Sequence, residues 1–305
     1  MRNLYFSVAI ITVASLVAGG FVAQTIFAAN LSSQVVVATS IPTVSGVAIN
    51  NGTPITLTAA TTTAISVNAT ITDANGCGEI TGGTSTIVLY RSGIPSSTCM
   101  AGANPLDCYV ATVFTASSTC AGGTQTATTT FAVQYFAQAT DASSSFSAQN
   151  WLATVIFKTA DNTTGTADAG GVELNTLTAI SVTTSSINYG ALTANTNTGS
   201  TDQLTVVANA GDSSSSLQLA AQSTLVSGVN SIATSSQAFS TSTFTYPGTS
   251  TALTGSNVAV SGFLLTSPTS STNVTSTIYW GLLVPNSTPT GTYTGTNSFT
   301  ALWHA

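Results

Sequence analysis

After residue 30 the apolar positions of the chain alternate with period two, the pattern of half-buried strands, and no stretch carries the spacing of an amphipathic helix. Residues 64–72 place Ile65, Val67, Ala69 and Ile71 on one face and Ser66, Asn68, Thr70 and Thr72 on the other. Phe131, Val133 and Tyr135 share a face over 130–136, as do Trp151, Ala153, Val155 and Phe157 over 151–158, and Ile278, Trp280, Leu282 and Val284 over 275–284. In the last predicted strand Thr292, Thr294, Thr296, Ser298 and Thr300 oppose Tyr293, Gly295, Phe299, Ala301 and Trp303. Hydroxyl side chains take the solvent-facing role that Lys and Glu usually fill, and β-branched Thr favours strands for the same rotamer reason as Val.

Breakers sort these strands into two groups. The turn-rich stretch TADNTTGTADAGG over 159–171 has no apolar periodicity and separates a cysteine-bearing block from a cysteine-free one. Each block has the size and strand count of one antiparallel sandwich. The expected fold class is therefore all-β, two tandem antiparallel β-sandwiches behind an N-terminal signal peptide helix. The expected boundaries are 1–29 for the signal peptide, 30–47 for an N-terminal strand segment, 48–160 for the disulfide-bearing sandwich, 161–174 for a linker and 175–305 for the second sandwich.

The leader reading rests on the uncharged run from Leu4 to Ala29 that follows Arg2, with small residues at Ala28 and Ala29 for cleavage. An uncleaved anchor is the alternative, because the run is long enough to span a bilayer. Export changes how the cysteines are read. Cys77, Cys99, Cys108 and Cys120 form an even set with no CxxC or Cys/His pair of zinc spacing, so two disulfides are expected. If the strands run up and down, Cys77 and Cys120 fall at one end of the block and Cys99 and Cys108 at the other, which pairs Cys77 with Cys120 and Cys99 with Cys108.

Composition narrows the chemistry further. Ser and Thr number 41 and 58 of 305 residues, while only 4% of the chain is charged. With Arg2, Arg91 and Lys158 as its cations, the chain cannot neutralise a run of phosphates, which excludes nucleic acid as a partner. The formal net charge is −6, and loss of a leader containing Arg2 would leave two cations against nine acids, or −7. Such low charge opposes self-association only weakly. The single histidine, His304, lies one residue from the end, so a Ser/His/Asp triad is not expected, and no phosphate loop or metal-protease motif occurs. No enzymatic activity, cofactor or small-molecule substrate is expected. Asp73, Asn75 and Glu79 in TDANGCGE, with Asp161 placed at the same end of the first sandwich, are weak calcium candidates set against an ordinary Asx turn. Lys158 is a weak candidate for an isopeptide bond to an Asn. Six N-x-[ST] sequons match chance, given 19 Asn in so hydroxyl-rich a chain. The hydroxyl-rich surface suits either O-glycosylation or close lateral packing.

The ending YWGLLVPNSTPTGTYTGTNSFTALW and the stretch SINYGALTANTNTGSTDQLTVVANAGDSSSSLQL resemble the terminal hairpin and opening strands of secreted bacterial Ig-like and WxL-like surface domains, over about residues 186 to 303. TITDANG and QNWLATVIFKTADN are similar to strand ends of bacterial Ig-like modules. The resemblance implies an Ig-like sandwich at the cell surface and supplies no catalytic residue. Trp280-Gly281-Leu282 matches one W-x-L element, and SFTALWHA holds no second one.

Together these point to an exported cell-surface protein that self-associates in a filament or surface layer, with an adhesin or module binding a surface glycan or the cell envelope as the alternative. Tyr90, Tyr109, Tyr246 and Tyr279 are the aromatic set such a module could display, although core or strand-pair positions account for them as well. Self-association has a candidate device in Val35, Val36 and Val37, a β-branched run bounded by Pro42. A strand at a chain terminus pairs either with its own sheet or with a neighbour's open edge, and both readings stand at this point.

Overall fold

The computed structural model describes residues 32–304, so the expected signal peptide at 1–29 lies outside the described residues. Residues 32–42 carry no strand, and the compact unit begins at Thr39. The first sandwich packs two four-stranded antiparallel sheets. One has the order β1-β2-β6-β5, from β1 (Thr43–Ile49), β2 (Thr62–Thr72), β5 (Thr115–Ala116) and β6 (Thr124–Gln134). The other has the order β4-β3-β7-β8, from β3 (Thr84–Arg91), β4 (Cys108–Ala111), β7 (Trp151–Lys158) and β8 (Thr164–Asp168). Two short helices, α1 (Cys77–Thr81) and α2 (Ser96–Ala101), cap the connections after β2 and β3.

The alternation in the sequence becomes the inner face of this sandwich. Ile65, Val67, Ala69 and Ile71 from β2 meet Phe131 and Val133 from β6, and Trp151, Ala153, Val155 and Phe157 from β7 lie opposite. Full burial of each large apolar side chain contributes roughly 1.5–3 kcal/mol. Trp151 also satisfies its indole, whose Nε1 donates to the Gln138 carbonyl at 3.0 Å.

The second sandwich is uneven. A five-stranded sheet of order β15-β14-β17-β10-β9 comprises β9 (Ile180–Val182), β10 (Gln203–Asn209), β14 (Gln237–Ser240), β15 (Thr251–Ala252) and β17 (Thr275–Leu282). It faces a three-stranded sheet of order β16-β11-β18, built from β11 (Ser215–Ala221), β16 (Val258–Ala259) and β18 (Asn297–Trp303). A ribbon of β12 (Leu225–Ser227) and β13 (Asn230–Ile232) stands beside them. Trp280 and Ile278 from β17 and Leu217 and Leu219 from β11 form the core, with Phe299 from β18 packed against its margin.

Two expected boundaries shift. The first sandwich begins at β1, whose Val44 and Ile49 are core residues, rather than at residue 48. Residues 161–174 are not a free linker. They hold β8, the edge strand paired with β7, and Val172 and Leu174 complete the first core, Leu174 with no exposed surface. The strand was hidden because its side chains are Thr, Gly, Ala and Asp: an edge strand is held by main-chain bonds and needs no apolar alternation. Gly165 is obligatory here, since a Cβ would collide with the Pro42 carbonyl oxygen.

The chain crosses between sandwiches through a segment held by isolated bridges rather than by a strand. Leu174 bridges Ile55 and its carbonyl accepts from Thr140, while Leu177 and Asp212 exchange main-chain and side-chain bonds three residues further on. A Cβ on Gly211 would strike the Leu177 carbonyl oxygen, so the second sandwich approaches the connector closely. The last strand is also shorter than expected: Thr294 makes only an isolated bridge to Val226, and the ladder with β11 starts at Asn297.

Candidate assembly surfaces and an interlobe cleft

Ser40 is where the N-terminal segment is gripped. Its N–H donates to the Asn75 Oδ1 at 2.6 Å, its hydroxyl donates to the Asp73 Oδ1 at 2.8 Å, and its carbonyl accepts from the Thr163 hydroxyl at 2.8 Å. Asp73 is buried and also caps its own turn, accepting from the Asn75 N–H at 2.7 Å. The Thr159 hydroxyl donates to the Asp161 Oδ1, and this bond, helped by those from the Thr163 N–H and hydroxyl, holds its carboxyl below the usual carboxylate range. Glu79 accepts from the Asp161 N–H. The calcium candidates Asp73, Asn75, Glu79 and Asp161 thus lie at one end of the first sandwich as partners of turns and of Ser40. Among the described residues no group of three or more His, Cys, Asp or Glu could hold a metal ion.

Immediately before this clamp, Val35, Val36 and Val37 are 83%, 81% and 76% exposed and belong to no strand. An uncharged β-branched run in water is an uncompensated hydrophobic exposure, and such runs pair readily with open sheet edges.

Cys77 is bonded to Cys120 and Cys99 to Cys108. The first ties the turn after β2 to the turn before β6, and the second ties α2 to the start of β4. Such bonds fit an oxidising, extracytoplasmic environment. No helix among the described residues is long and apolar enough to cross a membrane.

A cleft of about 370 Å³ opens between the two sandwiches. Phe136, Phe146, Trp303, Asp212, Ser213 and His304 are among its lining residues. Asp212 holds the connector from the second sandwich through the Leu177 N–H at 2.7 Å, and Asp141 holds it from the first, accepting from the Thr176 N–H at 2.9 Å and its hydroxyl at 2.6 Å. Burial pushes the Asp212 carboxyl up to about 7, the Asp141 charge adds in the same direction, and the Leu177 bond only partly offsets them. Its Oδ2 has no hydrogen-bond partner among the described residues. The His304 ring shares the cleft but makes no hydrogen bond to Asp212 or to a serine.

The raised carboxyl sets a pH response. The neutral form is the one the fold favours, so its contribution to stability is full below the ordinary carboxylate range and is lost as pH rises through about 7. With partial solvent access, about 1–2 kcal/mol is expected. Asp212→Asn, which keeps the acceptor for Leu177, should raise the thermal midpoint at pH 8 and flatten the rise otherwise seen between pH 8 and pH 5. Thermal scans at the two pH values check this.

The remaining candidates are dispersed. Tyr90 is buried with its hydroxyl near Thr154, and Tyr109 packs on Phe131 and Trp151 while its hydroxyl accepts from the Gln134 N–H. Tyr246 donates to the Ser236 carbonyl, and Tyr279 lies on β17. The four do not make one surface. Lys158 is exposed at the end of β7 with no bond to an Asn. Asp141 and Asp212 carry no motif that would have singled them out; only the Asn-Ala-Gly-Asp turn over 209–212 marks the second.

No protein-family model matches the chain, and no curated protein matches it either. Among solved structures, red sea bream transglutaminase aligns with 84% of this chain and 30% of its own at 8% identity and a TM-score of 0.22. The native E. coli alpha-2-macroglobulin aligns with 84% and 16% at 10% identity and 0.24, and the secreted serine protease VesC from Vibrio cholerae with 85% and 51% at 8% identity and 0.20. The chain thus spans from about a sixth to about half the length of these structures. What the chain shows by itself is an all-β, disulfide-bonded pair of antiparallel sandwiches.

Proposed function

We propose that this is an exported structural protein of the cell surface, a subunit of an extracellular filament or layer whose copies join by donating the segment around Val35–Val37 to a neighbour. One observation carries the reading: three consecutive valines stay exposed, outside every strand, directly ahead of a residue clamped by three hydrogen bonds. Ser40 is held three residues ahead of β1, where the sandwich starts. A donor on one copy and an acceptor elsewhere on the next make a head-to-tail contact, which repeats without closing. The low charge of the chain adds little repulsion between copies.

A glycan-binding surface module is the second reading, favoured by the cleft. Trp303 and Phe146 offer faces for sugar rings, and Asp212 and the surrounding serines offer acceptors and donors for hydroxyls.

Deletion of residues 32–38 separates the two. The proposal expects a folded protein with an unchanged melting transition that sediments as a monomer at concentrations where the intact chain assembles. Assembly that survives the deletion overturns it, and a deletion variant that still binds surface glycan while neither form assembles favours the second reading.

A further inference from the structure

A donated strand needs an edge to receive it, and the edges of this molecule are unequal. Natural sheets protect their edges by shortness, bulges, Pro, charge or a covering segment. β5, β15 and β16 are two residues long, β9 and the two ribbon strands three, and β4 four. β8 has five residues, ends in Asp168, and is abutted by Pro42 at Gly165. β1 has seven, but a register shift between Ser45 and Ala48 breaks its edge.

β18 has none of these protections. Its seven residues, Asn-Ser-Phe-Thr-Ala-Leu-Trp, include no charge, Pro or Gly, and they stay in unbroken register with β11 from Asn297 to Trp303. The hydrogen-bond parity shows which groups are left over. At one end of the ladder the His304 N–H donates to the Ser214 carbonyl, and at the other the Thr296 carbonyl accepts from the Gln222 N–H. Even-numbered residues therefore face β11. The N–H and C=O groups of Asn297, Phe299, Ala301 and Trp303 point away from the sheet, with no partner among the described residues. Apolar surface lies beside them, since Leu302 is 39% and Trp303 48% exposed. The sheet that ends at β18 has three strands against five in its partner sheet, so the sandwich is short on this side.

We infer that the outer edge of β18 is the acceptor, and that residues 32–38 of a second copy add to it as a fourth strand. The inference rests on the strand-donation reading above. Donor and edge match in kind: both are uncharged, both are seven residues, about 23 Å when extended, and the donor's valines would cover the apolar surface at Leu302 and Trp303. Donation from the clamp on the first sandwich to an edge on the second joins unlike surfaces, as an open chain of subunits requires.

The test is a crosslink between two variants of the full chain. One carries Thr300→Cys and lacks residues 32–38; the other keeps its segment and carries Val35→Cys or Val36→Cys. The native cysteines are bonded to one another, so no other thiol competes. A reducible heterodimer from one of the two donor positions is expected. In the intact chain, Ala301→Pro removes an N–H that the fold does not use and should raise the concentration for half-assembly about tenfold, the worth of one to two hydrogen bonds. If Ala301→Pro does not melt cooperatively, Thr300→Lys, on the solvent face, replaces it with the same expectation.

Failure of the inference and failure of the reading differ. If the deletion abolishes assembly but the crosslink forms instead at Val113→Cys, beside the first-sandwich groove lined by Ile71, Phe114 and Phe157, donation stands and β18 is not the acceptor. If the intact chain assembles as well without residues 32–38, donation itself falls and this inference with it.

Discussion

Replacing both Cys77 and Cys120 by Ser is expected to lower stability by about 4 kcal/mol, against about 2.5 kcal/mol for replacing Cys99 and Cys108. The order follows from loop closure. Cys77 and Cys120 are 43 residues apart and Cys99 and Cys108 only nine, so the first bond removes more freedom from the unfolded chain. It also joins the ends of β2 and β6, which pair along eleven residues from Thr62 to Thr72 at the centre of their sheet. Thermal unfolding of the two double variants checks the order, with a drop of about 10 °C expected for the first. Equal drops, or a larger one for Cys99 and Cys108, would show that the local bond in α2 matters more than closure of the long loop.

Arg91→Ala is expected to cost about 3 kcal/mol, while Arg91→Met costs clearly less. The residue is only 6% exposed. Its Nε donates to the Gln138 Oε1 at 2.9 Å, its Nη1 donates to the Gln149 Oε1, and its guanidinium lies 3.8 Å from the Phe146 ring centre. Asp107 is 4.0 Å away, and burial raises its carboxyl more than the guanidinium lowers it. Truncation leaves the Gln138 Oε1 without its donor, leaves the Gln149 Oε1 only the Gly93 N–H, removes the charge facing Asp107 and opens space beside Phe146, whereas Met refills the volume. Denaturant unfolding of the two variants measures both costs. Equal losses would mean that the lost hydrogen bonds alone, and not the packing beside Phe146, set the value. Because Gln138 and Phe146 also line the cleft, loss of Arg91 should loosen that wall first.

The inner faces of β2, β6, β7 and β17 were legible in the sequence because each strand is buried on one side, and burial on one side writes itself as alternation. β8 was not, because main-chain bonds to β7 hold it and its side chains carry no such signal. The cysteine pairing followed from where strand ends must fall. TDANGCGE was visible as a turn with oxygen ligands, yet its role in holding Ser40 depends on residues 33 and 35 positions away in the chain. The same limit applies to the candidate acceptor. That β18 lies at an edge depends on which strands pair across the whole domain, and the ladder of hydroxyls over 292–300 reads the same in a central strand as at an edge. Asp141 and Asp212 meet only because the connector passes between them.

The central claim is that residues 32–38 become a strand only in a neighbour. Hydrogen exchange of their amides, followed from dilute to assembling concentrations of the intact protein, tests it directly. For residues 32–37 the account predicts free exchange in the dilute monomer and protection that rises in step with assembly. Protection already present in the dilute monomer would contradict it, as would an assembled protein in which these amides still exchange freely.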